Sequence, residues 1–312
     1  MFSTIAITDF DWYKFLLNEQ DIGEVNFWTP SARRTFRGEP FSPFLFKLRA
    51  PHNAICGFGY FAQYSTLPDW LAWECFEVGN GCRSLKETRQ RIQQIRARIR
   101  YRQSGPLNEI GCRLIVEPTF FPQEAWVAQP RDGSARTQTT KKYDLSRGEG
   151  YRVWQECLAQ AEYLSSNHME DALVVQESQR RCGKPQEISP RLGQGTFRIA
   201  VTDAYNRGCA VTDEHSLPAL EATHIQPYSE NGPHDVRNGL LLRADLHRLF
   251  DQGYMTVSTD FRVEISQRLR DHYHNGHTYY PLHGQTLRIS TTKQERPAAE
   301  FLRWHNERTF LS

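Results

Sequence analysis

The chain has 312 residues, 39% of them apolar and 24% charged, with a formal net charge of +2. This is long for one core and sufficient for two domains, and the composition is that of a folded, soluble protein and not a disordered one. No apolar run reaches the roughly 18 residues a membrane-spanning helix needs, and so small a net charge confines any nucleic-acid surface to a local patch.

At the N-terminus, MFSTIAITDFDWYKFLL carries acids where a secretory leader would carry bases, so no signal peptide is expected and the cytoplasm is the expected location. Short strands are predicted at 24–29, 44–48, 54–63 and 113–121, with Gly, Pro and Asn between them. One helix interrupts them at 83–102, where Leu85, Ile92, Ile95 and Ile99 form a stripe and eight Lys/Arg against one Glu occupy the rest. Mixed strands with one or two helices suggest a small β-barrel. Residues 129–149 are almost without large apolar side chains and are expected to be a loop or linker. A helix follows at 151–175, then a second linker at 186–195 and a short helix at 196–207. Beyond it, 220–226 alternates as a strand, 227–233 is turn material, 239–242 is a short apolar strand, and 244–252 is a helix closed by Gly253. Five of seven tryptophans precede residue 130 and nine of eleven histidines follow residue 200, so the two halves are expected to be domains with different tasks.

The strand–loop–strand–helix at 220–252 brings together His224, Asn238, His247 and Asp251. His247 and Asp251, four apart on a helix, project from one face. Phosphodiester hydrolysis needs a base to activate water and a cation to neutralise the phosphate and the leaving oxygen. A neutral imidazole, with an ordinary pKa of about 6.5, suits the base. An imidazole and a carboxylate on one helical turn suit part of a divalent-metal shell. An asparagine can cross-link the loop. A lone histidine on a strand is more often an ordinary core residue, but the ordered set favours a hydrolytic centre.

CAVTDEHSLPALEATHIQPYSENGPHDVRNGLLLRADLHRLFDQGY, with RLGQGTFRIAVTDAYNRGCAVT before it, resembles the HNH endonuclease family over roughly 190–290. The resemblance implies a ββα unit around one divalent metal, Mg²⁺ or Mn²⁺, with Ni²⁺ or Co²⁺ as alternatives. It puts His224 in the general-base position, Asn238 in that of the loop asparagine, and His247 and Asp251 in the helix-borne metal positions. Many members have Asp or His just before the base; this chain has Thr223, so Glu221 or water would complete the shell. The seven cysteines are scattered and never spaced C-x-x-C, so neither a disulfide framework nor a structural zinc is expected. HYHNGH (272–277) could be a second metal site, but a solvated loop is the simpler reading.

In the first half, EVNFWTPS, FLFKLRAPHNAICGFGYF and LPDWLAWECF concentrate Trp28, Phe58, Tyr60, Tyr64, Trp70 and Trp73. Such rings are either barrel core or walls that stack an extruded base. These stretches resemble the EVE domain, a PUA-like β-barrel, over roughly 8–130. That resemblance implies a pocket for a flipped, modified base, a modified cytosine, with Trp28, Trp70, Trp73, Phe58 and Tyr64 as its walls. Arg89, Arg91, Arg96 and Arg98 on the helix beside it would then contact DNA phosphates; otherwise that helix is a solvated face.

The expected fold class is thus α+β in two domains: an EVE-like reader at 1–145, a helical linker at 146–189 and a ββα-metal HNH nuclease at 190–312. The expected activity is that of a modification-dependent DNA endonuclease in restriction or phage defence. Its expected partner is double-stranded DNA carrying modified bases; double-strand cutting with one active site per chain would call for two protomers acting together, a homodimer. The alternatives are an HNH nuclease whose first domain does not read modified bases, and a nucleic-acid-binding protein with a weakened centre, which Thr223 would favour.

Overall fold

The computed structural model describes residues 1–19, 21–33, 35–101, 107–133, 140–172 and 192–312. The chain divides into two compact units, Met1–Arg191 and Leu192–Ser312.

The first unit is built on a seven-stranded mixed sheet. Strand β1 (Phe2–Thr8) leads into helix α1 (Phe10–Leu17), whose N-terminus is capped by Asp9 accepting from the amides of Asp11 and Trp12. Then come β2 (Glu24–Thr29), β3 (Pro43–Leu48), β4 (Ala54–Pro68), helices α2 (Asp69–Phe76) and α3 (Leu85–Arg98), β5 (Glu109–Phe120), β6 (Val127–Ala128), β7 (Lys141–Asp144) and helix α4 (Gly148–Ala172). The strand order is β2-β5-β4-β3-β1-β7, with β6 on β4; β1 and β3 run parallel and the other pairs antiparallel.

Strand β3 shows why one sheet carries two cores. All six of its residues are buried, and successive side chains point to opposite faces. Phe44 and Phe46 join Trp12, Tyr13, Phe61 and Ile115 on one face. Leu45 joins Phe58, Phe121, Val153 and Trp154 on the other, under α4. Strand β4 is 15 residues long and shifts register against β5 twice, which bends the sheet.

The structure departs from the sequence expectation in several places, of which three bear on the first unit's sheet and its arginine helix. Strand β1 and helix α1 occupy a stretch for which no element was expected. The 129–149 segment is not all linker, because Lys141–Asp144 pairs with β1 and buries Tyr143. Helix α3 stops at Arg98 and leaves Ile99 56% exposed, so the apolar stripe ends a turn early. Residues 186–191 of the second expected linker, together with Cys182, lie outside the described residues; the other six cysteines are free thiols. No described helix is long and apolar enough to cross a membrane.

The second unit comprises helix α5 (Gln194–Ala204), strands β8 (Leu220–His224) and β9 (Gly239–Arg243), helix α6 (Ala244–Asp251), strands β10 (Met255–Val257) and β11 (Val263–Ile265), and helices α7 (Arg268–Tyr273) and α8 (Ala299–Arg308). Phe197, Val201, Leu240, Leu242, Leu246 and Phe250 lie in its core. Helix α6 is braced from behind by α8: His305 stacks on Phe250 at 3.7 Å and its Nε2 donates to the Phe250 carbonyl at 3.0 Å. Its Nδ1 is left to accept from the Thr256 hydroxyl at 2.8 Å.

Candidate active site

Strands β8 and β9 form an antiparallel pair with Glu221 opposite Leu242 and His224 opposite Gly239. Helix α6 begins at the residue after β9, so the two strands and the helix make one unit in which the polar side chains of β8 face those of α6. Gly239 permits the close seating of α5. A Cβ there would lie 2.3 Å from Val201 Cγ2 and 3.1 Å from Phe197 Cζ.

That seating places Phe197 flat against His224, with ring centroids 3.9 Å apart and planes 13° apart. His224 Nε2 and His234 Nδ1 share a hydrogen bond of 2.9 Å, and Tyr228 stacks on His234 at 4.7 Å. Burial, and then the neighbouring His234, push the His224 imidazole down to about 4, with Asp251 opposing. The ring is therefore neutral at neutral pH and able to take a proton.

Asn238 is fully buried and ties the loop after His224 to itself. Its Oδ1 accepts from the Gln226 amide at 2.9 Å, and its Nδ2 donates to the carbonyls of Gln226 and Pro233, both at 3.0 Å. Its own carbonyl accepts from Ile225 N at 2.9 Å. The residue directly after His224 is held by the same asparagine.

His247 lies between two carboxylates. Its Nδ1 is 2.6 Å from Glu221 Oε2 and its Nε2 is 3.1 Å from Asp251 Oδ2. Burial acts to lower its proton affinity, but the bonds to Asp251 and Glu221 outweigh it and the imidazole is raised above its ordinary value. Thr223, buried beside them, donates to Asp251 Oδ1 at 3.3 Å. The position before His224 thus orients a carboxylate and does not supply one.

An HNH-type centre implies a divalent cation. The donor chemistry here suits one: Glu221 and Asp251 already stabilise positive charge at His247, and carboxylate with imidazole is a ligand set for divalent ions. Among the described residues no three His, Cys, Asp or Glu side chains form a ready-made metal cage, because these donors are hydrogen-bonded to one another. His272 is bonded to Tyr254, at 3.0 Å.

Sequence reasoning missed His234, Phe197 and Tyr228. The signal for His234 is slight, a second imidazole ten residues after the first and one residue past a segment expected to be turn. Its contact gives an expected result. His234→Ala removes one of the influences that hold the His224 proton affinity down, so the His224 pKa rises toward the ordinary value of about 6.5. The acid limb of the single-turnover cleavage profile then moves to higher pH than in the unsubstituted protein. An unmoved limb removes His234 from the site.

In the first unit, the side chains expected to form a base pocket do not share one face. Phe58 is core, 4% exposed and edge-on to Tyr60, Phe121 and Trp154. Trp28 is half-buried and donates through Nε1 to the Asn80 carbonyl at 2.9 Å. Trp70 and Trp73 are half-buried on α2, and Tyr64 is half-buried on β4. The expected phosphate arginines also divide. Arg89 forms a two-point ion pair with buried Asp69, at 2.8 and 3.1 Å. Arg91 bonds Asp9 and the Gly81 carbonyl. Arg96 is only 8% exposed and donates to the carbonyls of Pro30 and Glu109 at 2.8 and 2.7 Å, and to Asn108. It is a structural arginine; Arg98, by contrast, is exposed and its side chain bonds no described residue.

Residues 209–258 match the family model described as HNH endonuclease. The second unit carries an HNH nuclease domain. Among solved structures, the chain is similar to ASCH from Zymomonas mobilis, at 13% identity and a TM-score of 0.31, covering 50% of this chain and 94% of that one. It is also similar to the modification-dependent TagI restriction endonuclease, at 11% identity and a TM-score of 0.27, covering 93% of this chain and 76% of that one. No protein of curated function matches the chain.

Proposed function

We propose that this HNH nuclease is a modification-dependent DNA endonuclease. The observation that carries the nuclease chemistry is the neutral His224 imidazole beside the Glu221, His247 and Asp251 cluster. His224 takes the proton of the attacking water. Asn238 keeps the base in place by fixing the turn that follows it. Glu221, His247 and Asp251 would hold the divalent ion, Mg²⁺ or Mn²⁺, with Ni²⁺ or Co²⁺ as alternatives; when bound it neutralises charge on the phosphate and the leaving oxygen. Residues 1–145 act as the reader of a modified cytosine in duplex DNA, 146–189 as the connection and 190–312 as the nuclease. Two protomers, each cutting one strand, make a double-strand break in restriction or phage defence. The half-buried rings of the first unit, Trp28, Tyr64, Trp70 and Trp73, support the reading of an extruded base, which needs aromatic faces within reach of solvent.

The test is cleavage of otherwise identical duplexes carrying cytosine, 5-methylcytosine or 5-hydroxymethylcytosine, with Mg²⁺ or Mn²⁺. The proposal expects cutting of at least one modified duplex and little of the plain one. Equal cutting of all three leaves an HNH nuclease without a modified-base reader. Binding to all without cutting leaves a nucleic-acid-binding protein in which Thr223 marks a weakened centre.

A further inference from the structure

The first unit holds a half-buried arginine whose Nε has no hydrogen-bond acceptor among the described residues. Arg113 on β5 stands opposite Phe27 on β2 and Tyr64 on β4, so the three side chains leave the same face of the sheet. The guanidinium lies over the rings of Phe36 and Phe27, 4.9 and 5.8 Å from their centroids. Its Nε is buried and donates to no acceptor, and no hydrogen bond or ion pair joins the side chain to any described residue. Burial pushes this guanidinium below its ordinary value. A desolvated cation that the fold itself does not compensate costs stability, and aromatic faces alone do not satisfy in-plane N–H donors.

The rings beside Arg113 are held by their own packing. Phe27 and Phe36 pack in turn on Phe44, at 5.2 and 6.0 Å, which gives the rings a rigid floor. Two residues before Arg113 on the same face, Gly111 offers no side chain. A Cβ there would lie 2.6 Å from the Tyr64 hydroxyl and 2.8 Å from Thr29 Oγ1, so the glycine is what lets Tyr64 lie close to β5 beside Arg113. The aromatic faces want a π-system, and the guanidinium fork wants two adjacent acceptors in that system's plane. A bare phosphate would satisfy the charge and leave the rings unused; an apolar ligand would do the reverse.

We infer that Phe27, Phe36, Tyr64 and Arg113 form the seat of an extruded pyrimidine base, stacked on the rings while Arg113 donates to its 2-carbonyl and ring-nitrogen acceptors. This rests on the reading of the first unit as a base reader and moves the seat away from Trp28, whose ring bonds Asn80. Because a substituent at the 5-position points away from the 2-carbonyl, Arg113 seats the base whether or not it is modified.

The test uses the full chain, with a chelator to keep the strand whole, and a duplex carrying one 5-iodocytosine. Irradiation followed by peptide mass spectrometry is expected to place the cross-link on Phe27, Phe36 or Tyr64. Arg113→Met is expected to lower that yield and the affinity for the duplex at least about tenfold, the value of one well-made fork contact. Its melting temperature should equal or exceed that of the unsubstituted protein, since an uncompensated charge is gone. Should Arg113→Met fail to fold, Arg113→Lys, which keeps the charge and loses the fork, is expected to show the same loss of yield. Cross-links on Trp28, Trp70 or Trp73, or no cross-link, overturn the seat. So does a loss of affinity with an unaltered cross-link, which is the signature of a phosphate contact. Equal binding of modified and plain duplexes by the unsubstituted protein would remove modification dependence alone, and a cross-link at the three rings would still uphold the seat.

Discussion

His224→Ala lowers the cleavage rate by about 10²–10⁴-fold, the contribution of a positioned general base, while DNA affinity stays within about twofold. The reason lies in the way the site divides its work. His224 is held neutral by burial against Phe197 and by His234, so in the proposed role it would enter the reaction as a proton acceptor and not as a cation that attracts phosphate. Removing it takes away proton transfer and little binding charge. The loss should appear in the rate constant under saturating enzyme and not in the half-saturation concentration. His224→Gln keeps a polar partner for His234 and separates loss of the base from local collapse: it should be as inactive as His224→Ala and melt closer to the unsubstituted protein. Nicking at an undiminished rate by either variant removes His224 from the role of base.

Asn238→Ala unfolds the second unit more easily, by on the order of 3 kcal/mol, and abolishes measurable cleavage with it. The side chain makes three hydrogen bonds, all to backbone groups of the loop, and is fully buried. Truncation leaves the Gln226 amide and the Gln226 and Pro233 carbonyls short of partners, and each buried unsatisfied group costs about 1–3 kcal/mol. Part of that cost is recovered if water enters the vacated volume. Catalysis suffers in addition, because Ile225 and Gln226, both tied to Asn238, directly follow the base. Asn238→Asp sharpens the test. It keeps an acceptor for Gln226 N but turns a carboxylate oxygen toward two carbonyls, so it should be no better than Asn238→Ala. Denaturant unfolding of the full chain, followed beside cleavage, checks both; a variant that melts normally and cuts normally would show that the loop holds itself.

Much of the nuclease centre was legible in the sequence, because its elements carry local signals. The alternation of 220–224, the apolar 239–242 and the Leu246, Leu249 and Phe250 stripe each specify their own secondary structure, and the observed elements fall within two residues of expectation. The pairing of His247 with Asp251 follows from helical spacing alone. The contact of His247 with Glu221 does not, since it depends on the register of β8 against β9 and on α6 folding back over them.

Elsewhere the deciding interactions are non-local. Strand β7, Lys-Lys-Tyr-Asp, has no apolar pattern of its own and exists because β1 offers it a partner edge. Arg96 occupies a helix position that reads as solvated, and only the arrival of Pro30, Asn108 and Glu109 around it makes it a buried structural arginine. Phe58 and Tyr64 look alike in the sequence, yet the bends of β4 send one into the core under α4 and leave the other beside Arg113. By itself, the sequence determined which residue types can do hydrolytic chemistry and the short elements that carry them, since periodicity and spacing are properties of adjacent residues. Only the tertiary structure decided the protonation of His224, the isolation of Arg113 and which aromatic rings stay near solvent. Burial and electrostatic neighbourhood are set by residues far away along the chain.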